Sequence, residues 1–243
     1  MKTRIIWYIF FLIIGLQNLH GQNISPDYIH NLSDYQPNLT GELFKPDLPI
    51  DEITYFNSDW LSADIYLSNG EIAKNKLIKY NGLLDELFWL EPKSKNIIKL
   101  DKEAILQFHF KNLNDDSTIV FRKIRVKKNS VSDSSDVFGQ VMYEGRLSLF
   151  VLYTYKFAGT ELSRKNGLLL ENNVYSKIPF YIFGFTNHKT FLTKSLNRKS
   201  LYSFFPEERD QIKIFFRQIK QSKIESYYDI SRLMKFLNSI VFK

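Results

Sequence analysis

Asp85 and Glu86 stand side by side in the stretch LSNGEIAKNKLIKYNGLLDELFWLEP (residues 67–92), just ahead of Phe88 and Trp89. Two carboxylates beside aromatic rings are the parts of a glycosidase: an acid, a base or nucleophile, and a platform on which a sugar stacks. Such a pair needs its carboxyl groups about 5–10 Å apart and turned toward one bond. Adjacent residues of a strand point to opposite faces. If residues 85–90 are extended, the two carboxylates diverge and cannot share a substrate. The expectation is therefore strand-edge polarity for Asp85 and Glu86, and core filling for Trp89.

Other chemistry is sparse. The four histidines are His20, His30, His109 and His188, with no HExxH motif or closely spaced pair, so no zinc site is expected. His109, inside LQFHF, reads as a half-buried sheet residue, and His188, inside TNHKT, as part of a turn. With no cysteine in the chain, a thiol nucleophile is excluded. There is no GxSxG elbow, no phosphate-binding glycine-rich loop and no dinucleotide fingerprint. No catalytic, cofactor-binding or metal-ligating residue is assigned, and no cofactor is expected. A hydrolase built from scattered residues would have to bring Asp64, Asp85, Glu86, His109 or Glu144 into one pocket.

Charge supplies the one regional anomaly. The formal net charge is +7. From Thr186 onward there are 12 Lys/Arg against 5 Asp/Glu, whereas residues 22–185 hold 19 against 21. Arg209, Lys213, Arg217 and Lys220 recur at i, i+4, i+8 and i+11, a spacing that aligns them along one side of a helix. Such a row is either the solvated side of an amphipathic helix or a contact for anionic lipid, acidic glycan or an acidic protein.

The elements that would position these residues read mostly as strands. In WLSADIYLSNG, Leu61, Ala63, Ile65 and Leu67 alternate with polar neighbours and end at Asn69-Gly70, a hairpin signal. NKLIKYN returns, and Asn81-Gly82 marks a second turn. LDELFWLEP, NIIKLDKEAILQFHF, STIVFRKIRV, VFGQVMYEGRLSLFVLYTYKF and YSKIPFYIFGF follow, rich in Ile, Val, Phe and Tyr and punctuated by turn formers. Glu144-Gly145 reads as a tight turn, and KKNSVSDSSD (127–136) as a loop. No regular strand–helix alternation occurs, which argues against a doubly wound sheet. The period changes in PEERDQIKIFFRQIK, where Ile212, Phe215, Phe216 and Ile219 recur at helical spacing behind Pro206. A second helix is expected from about Asp229, capped by Ser226, with Ile230, Leu233, Met234, Leu237 and Ile240 on one face.

At the N-terminus, Lys2 and Arg4 precede a 12-residue apolar segment, Ile5–Leu16, and a small residue, Gly21. This is the layout of a signal peptide. A spanning helix would need about 20 apolar residues, so cleavage near Gln22 and no transmembrane span afterwards are expected. Absence of cysteine points to a bacterial envelope protein held by its core rather than by disulfides, and excludes a lipid-modified cysteine. Prolines 26, 37, 46 and 49 make residues 22–50 an extended lead-in.

The series DIYLSNGEIAKNKLIKYNGLLDELFWL, IIKL and ILQFHF, closed by LYSFFPEERDQIKIFFRQIK and YDISRLMKFLN, resembles a group of uncharacterised exported β-rich proteins of Gram-negative bacteria. The resemblance implies an envelope setting and no known activity. In it, Asn69, Gly70, Tyr80, Asn81, Asp85 and Glu86 look like turn and strand punctuation.

Together these readings predict an α+β protein: an antiparallel β-rich sandwich or partly open barrel followed by a C-terminal helical pair. The expected segments are a signal peptide (1–21), a lead-in (22–50), a β-rich domain (51–196) and a basic helical segment (197–243). The expected role is an exported envelope binding or accessory protein, periplasmic, outer-membrane associated or secreted. Its partner would be another envelope protein or an anionic envelope surface through Arg209, Lys213, Arg217 and Lys220, and not nucleic acid. The alternative is an envelope hydrolase of glycan or peptide bonds.

Overall fold

The structure is a computed structural model that describes residues 36–45, 54–111, 117–127, 134–165, 167–185 and 190–242. The signal segment, His20, His30 and His188 lie outside the described residues, as do most of the lead-in and residues 128–133 of the expected loop. All the elements below belong to the unit that begins at Pro37.

Eleven strands form one antiparallel sheet in the order β1-β5-β4-β3-β2-β6-β7-β8-β9-β10-β11. The strands are β1 (Gly41–Leu43), β2 (Leu61–Leu67), β3 (Ile72–Asn81), β4 (Glu86–Leu90), β5 (Ile97–Leu100), β6 (Ile105–Lys111), β7 (Thr118–Lys127), β8 (Ser134–Tyr143), β9 (Leu147–Lys165), β10 (Leu168–Phe185) and β11 (Thr190–Thr193). A two-residue pair, β12 (Leu196–Asn197) with β13 (Lys223–Ile224), stands apart. Among the described residues, two facing sheets, as in a sandwich, are not formed: the strands run on as a single open sheet. The lead-in contributes β1, which pairs with β5.

The hairpin read from LSADIYLSNG is present. Ala63, Ile65 and Leu67 are buried, and the chain turns through Gly70 at φ +88°, a left-handed value that suits glycine. β5 and β6 lie four strand positions apart in the sheet order, about 19 Å if the sheet were flat. Only residues 101–104 connect them, and three of these form a single 3-10 turn. So short a link requires the first half of the sheet to curl. The curl encloses Tyr80, Phe108, Phe110, Phe121 and Phe138, each 3% exposed or less. Phe108 stacks on Phe121 with centroids 5.0 Å apart.

Three helices follow, one more than the expected pair: α1 (Arg198–Phe204), α2 (Arg209–Ile219) and α3 (Tyr227–Val241). α1 occupies what reads in sequence as a connecting turn, because the Asn197 side chain accepts from the Ser200 N–H and caps it. Pro206 precedes α2 rather than opening it. The Ser226 hydroxyl accepts from the Asp229 N–H, so the expected cap starts α3. Ile212, Phe215 and Phe216 of α2 and Leu233, Met234 and Leu237 of α3 share one core with Leu147, Leu149, Val151, Tyr181 and Phe183 of β9 and β10. The Asn238 carboxamide fixes the junction. It donates to the Leu147 carbonyl and accepts from the Leu147 N–H, both at 2.9 Å. Gly145 is required nearby, since a Cβ there would lie 3.1 Å from Asn238 Oδ1 and 2.9 Å from the Tyr143 ring.

Candidate functional site

Asp85 is not on a strand. Residues 82–85 form the β3–β4 turn, and Asp85 closes it at φ +56°, a conformation that aspartate tolerates better than most residues. Its side chain points inward, where one oxygen accepts from the Tyr80 hydroxyl at 2.6 Å and from the Phe138 N–H at 3.1 Å. The other oxygen pairs with the Lys102 ammonium, which also donates to the Asp136 carbonyl at 2.6 Å. The reason lies in β8. β9 pairs with residues 140–143 of that strand, not with Asp136 or Phe138. Their backbone groups would be left bare, and Asp85, Lys102 and Tyr80 satisfy them. Strand-edge polarity is thus corrected: Asp85 is a clasp that joins the curled end of the sheet to β8.

Burial pushes the Tyr80 hydroxyl well above the ordinary tyrosine range, and the neighbouring Asp85 charge adds to the shift. Tyr80 is therefore a neutral donor, which suits a structural bond rather than proton transfer near neutrality. Glu86, on β4, faces Lys99 at 3.7 Å. The two adjacent carboxylates diverge as expected, although one is in a turn. Phe88 is 1% exposed and lies against Phe44 and Tyr55, whereas Trp89, on the other face of β4, is half-buried against the core that holds Leu87 and Tyr80.

The remaining hydrolase candidates do not converge with this pair. Asp64 and His109 are cross-strand neighbours of β2 and β6. Asp64 accepts from the Asn75 N–H at 2.8 Å and pairs with Lys111 at 3.2 Å. His109 lies against Tyr66, ring centroids 4.3 Å apart. Burial lowers its pKa, the first and largest cause; Asp64 opposes that shift and Arg122 assists it. Glu144 binds Arg122 at 2.7 Å, a bond that holds its carboxyl below the usual range. Among the described residues, no three metal-ligating side chains are grouped as a metal ion would need.

An open groove of about 720 Å³ lies along β6 to β11, with Ile124, Phe150 and Ile182 in its apolar lining. Lys123 and Arg125 also line it, but both are already paired. Lys123 sits 3.7 Å from Glu103, and Arg125 grips Asp136 at 2.9 and 3.1 Å. None of Asp64, Asp85, Glu86, His109 and Glu144 lines the groove.

Arg209, Lys213, Arg217 and Lys220 are all exposed on or just beyond α2. With 3.6 residues per turn, the row runs along the flank of the buried Ile212–Phe216 side rather than diametrically opposite it. Arg209 lies 5.0 Å above the Tyr202 ring. Lys220 ends the helix in the left-handed conformation at φ +53°. Among the described residues, no carboxylate lies within ion-pair distance of the four. No helix among the described residues is long and apolar enough to cross a membrane. No protein-family model, curated protein or solved structure matches this chain.

Proposed function

We propose that the protein is an exported envelope binding or accessory protein that docks on an anionic surface through Arg209, Lys213, Arg217 and Lys220. The observation that supports this most is that the four cations stand exposed without carboxylate partners among the described residues, on a helix whose apolar side is fixed in the core. Elsewhere, Asp85, Asp64, Glu86, Glu144, Lys123 and Arg125 all have partners of opposite charge. Unpaired charges on a rigid element attract an oppositely charged surface without having to break an existing pair. Asp64 and His109 are neighbours, but Asp85, Glu86 and Glu144 are each held by cations of their own and none of the five lines the groove, which weighs against the hydrolase alternative and its need for converging groups. Export rests on Lys2, Arg4 and the Ile5–Leu16 segment, and sequencing the N-terminus of protein from envelope fractions tests it. The curled half of the sheet fits the partly open barrel form.

The test reverses Lys213 and Arg217 to Glu. Folding should be preserved, because exposed charges contribute little to stability. Low-salt binding to vesicles containing phosphatidylglycerol should be lost. Unchanged vesicle binding refutes the docking role, and binding transferred to an acidic protein alone replaces the surface with that partner.

A further inference from the structure

β9 and β10 run further than the expected strands, which end at Phe157 and resume at Tyr175. Beyond Val151 on β9 and before Tyr181 on β10, neither strand has another strand neighbour among the described residues. The two continue as a ribbon, an arrangement that is at best marginally stable alone in water. The base of this arm rests on the body. A Cβ at Gly82 would come within 2.9 Å of the Tyr155 ring, and the Lys177 ammonium lies 4.2 Å from the Tyr153 ring centre and 5.5 Å from that of Phe56. Farther out, the arm holds large apolar side chains in solvent: Phe157 is 54% exposed, Leu162 68% and Leu169 63%.

The distal end has a distinct composition. Residues 162–170, LSRKNGLLL, hold four leucines and two cations; the acids Glu161 and Glu171 flank them, and Glu171 faces Leu162 across the ribbon, farther from the tip than Arg164 and Leu169. Leu169 pairs with Arg164 across the ribbon, and strand alternation places Leu162 on the same face as both. Strand addition by a second copy is opposed at both edges. The register shift opposite Val174 and Tyr175 bulges β9 at Ala158, and Pro179 removes an amide donor from β10. Two cations at the end of each arm would also repel a copy brought end to end.

We propose that the end of the β9–β10 arm is a lipid-docking element. Leu162 and Leu169 enter the interfacial zone of an anionic bilayer, and Arg164 meets its phosphates. Leucines gain by leaving water, and the adjoining cations gain from the negative surface potential. Insertion stops at the interface, because the bare N–H and C=O groups of both ribbon edges cannot enter hydrocarbon unsatisfied. The proposal rests on the reading of the α2 row as a contact for an anionic surface, and gives that surface a second and independent point of attachment.

The chain has no cysteine, so one introduced thiol can carry an environment-sensitive fluorophore. Full-length protein labelled at Leu169→Cys should brighten and shift to the blue on phosphatidylglycerol vesicles, and be quenched by a lipid-embedded quencher. A label at Ser94→Cys, in the β4–β5 turn, should not respond. The double variant Leu162→Glu, Leu169→Glu should weaken vesicle binding about tenfold or more, as expected for two large apolar groups withdrawn from an interface. A silent Leu169 label on vesicle-bound protein overturns the proposal, as does full affinity in the double variant. Energy transfer between labelled copies without lipid assigns the arm to self-association instead. The α2 reading fails separately: if Lys213→Glu, Arg217→Glu binds normally while the Leu169 label still inserts, the arm stands and the helix row falls.

Discussion

Replacing Asp85 by alanine removes three contacts at once, and the cost can be worked from the geometry. The Phe138 N–H, 3.1 Å from Asp85, loses its acceptor on a stretch of β8 that β9 does not cover. A buried donor left unpaired costs about 1–3 kcal/mol. The Tyr80 hydroxyl keeps only a 3.3 Å contact with the Phe138 carbonyl, a loss of about 1 kcal/mol. Alanine at φ +56° adds about 1 kcal/mol, since it lacks the polar side chain that eases left-handed backbone. The Lys102 ammonium retains the Asp136 carbonyl and is 30% exposed, so its loss is small. Asp85→Ala should destabilise by about 3–5 kcal/mol on these terms. For a chain of this size that is a fall in Tm of roughly 6–20 °C. Asp85→Asn, which keeps an acceptor, should fall between this variant and the parent. Glu86→Ala should cost less than about 1 kcal/mol, because its pairing with Lys99 is at the surface. Urea unfolding of the four proteins measures the series. If Asp85→Ala lies within about 1 kcal/mol of the parent with an unchanged m-value, the clasp does not hold the curled sheet.

Other expectations follow from the helical half and from His109. Phe215 is 6% exposed and stacks on Phe236 with centroids 4.8 Å apart, so Phe215→Ala should cost about 3–5 kcal/mol in chemical denaturation. Asn238→Ala strands both backbone groups of Leu147 and should cost about 2–4 kcal/mol, with near-ultraviolet dichroism reporting whether α3 stays docked. The imidazole of His109 is harder to protonate folded than at its ordinary 6.5. The unfolded chain therefore takes the proton first, and stability present above pH 6.5 should decline as the pH falls through that value toward the lowered folded one. His109→Phe keeps the ring against Tyr66 and should flatten this slope between pH 5 and 8; parallel curves for the two proteins would refute it.

Elements set by near neighbours were legible in the sequence. Leu61, Ala63, Ile65 and Leu67 announce a half-buried strand, Asn69-Gly70 its turn, and Ser226 the start of α3, because each signal acts within a few residues. Asp85 was misplaced because its role is decided by Phe138, 53 positions away, and no local period records that partner. Asn81-Gly82 does signal a turn, but not that the turn extends to Asp85. The α2 row was legible as a spacing, and its exposure follows from the apolar positions beside it. The arm is not legible as a strand pattern, because LSRKNGLLL does not alternate. Its signal is compositional: clustered leucines and cations around a reversal.

The strand order also shapes how the chain can reach its folded state. β2–β5 and β6–β11 are each built from sequence neighbours, so every hairpin within them closes a short loop and forms early. Joining them means pairing β2 with β6, for example Ala63 with Phe110, and closing that much longer loop carries an entropic cost that rises only slowly with length. The seam between the two meanders thus forms after the hairpins on either side of it, as does the still longer-range pairing of β1 with β5, and its loss separates the two meanders. Amide exchange should show two protection classes divided at that seam. A cut or circular permutation between Leu100 and Ile105 would leave each meander whole, while interrupting the covalent link that holds β5 close to β6.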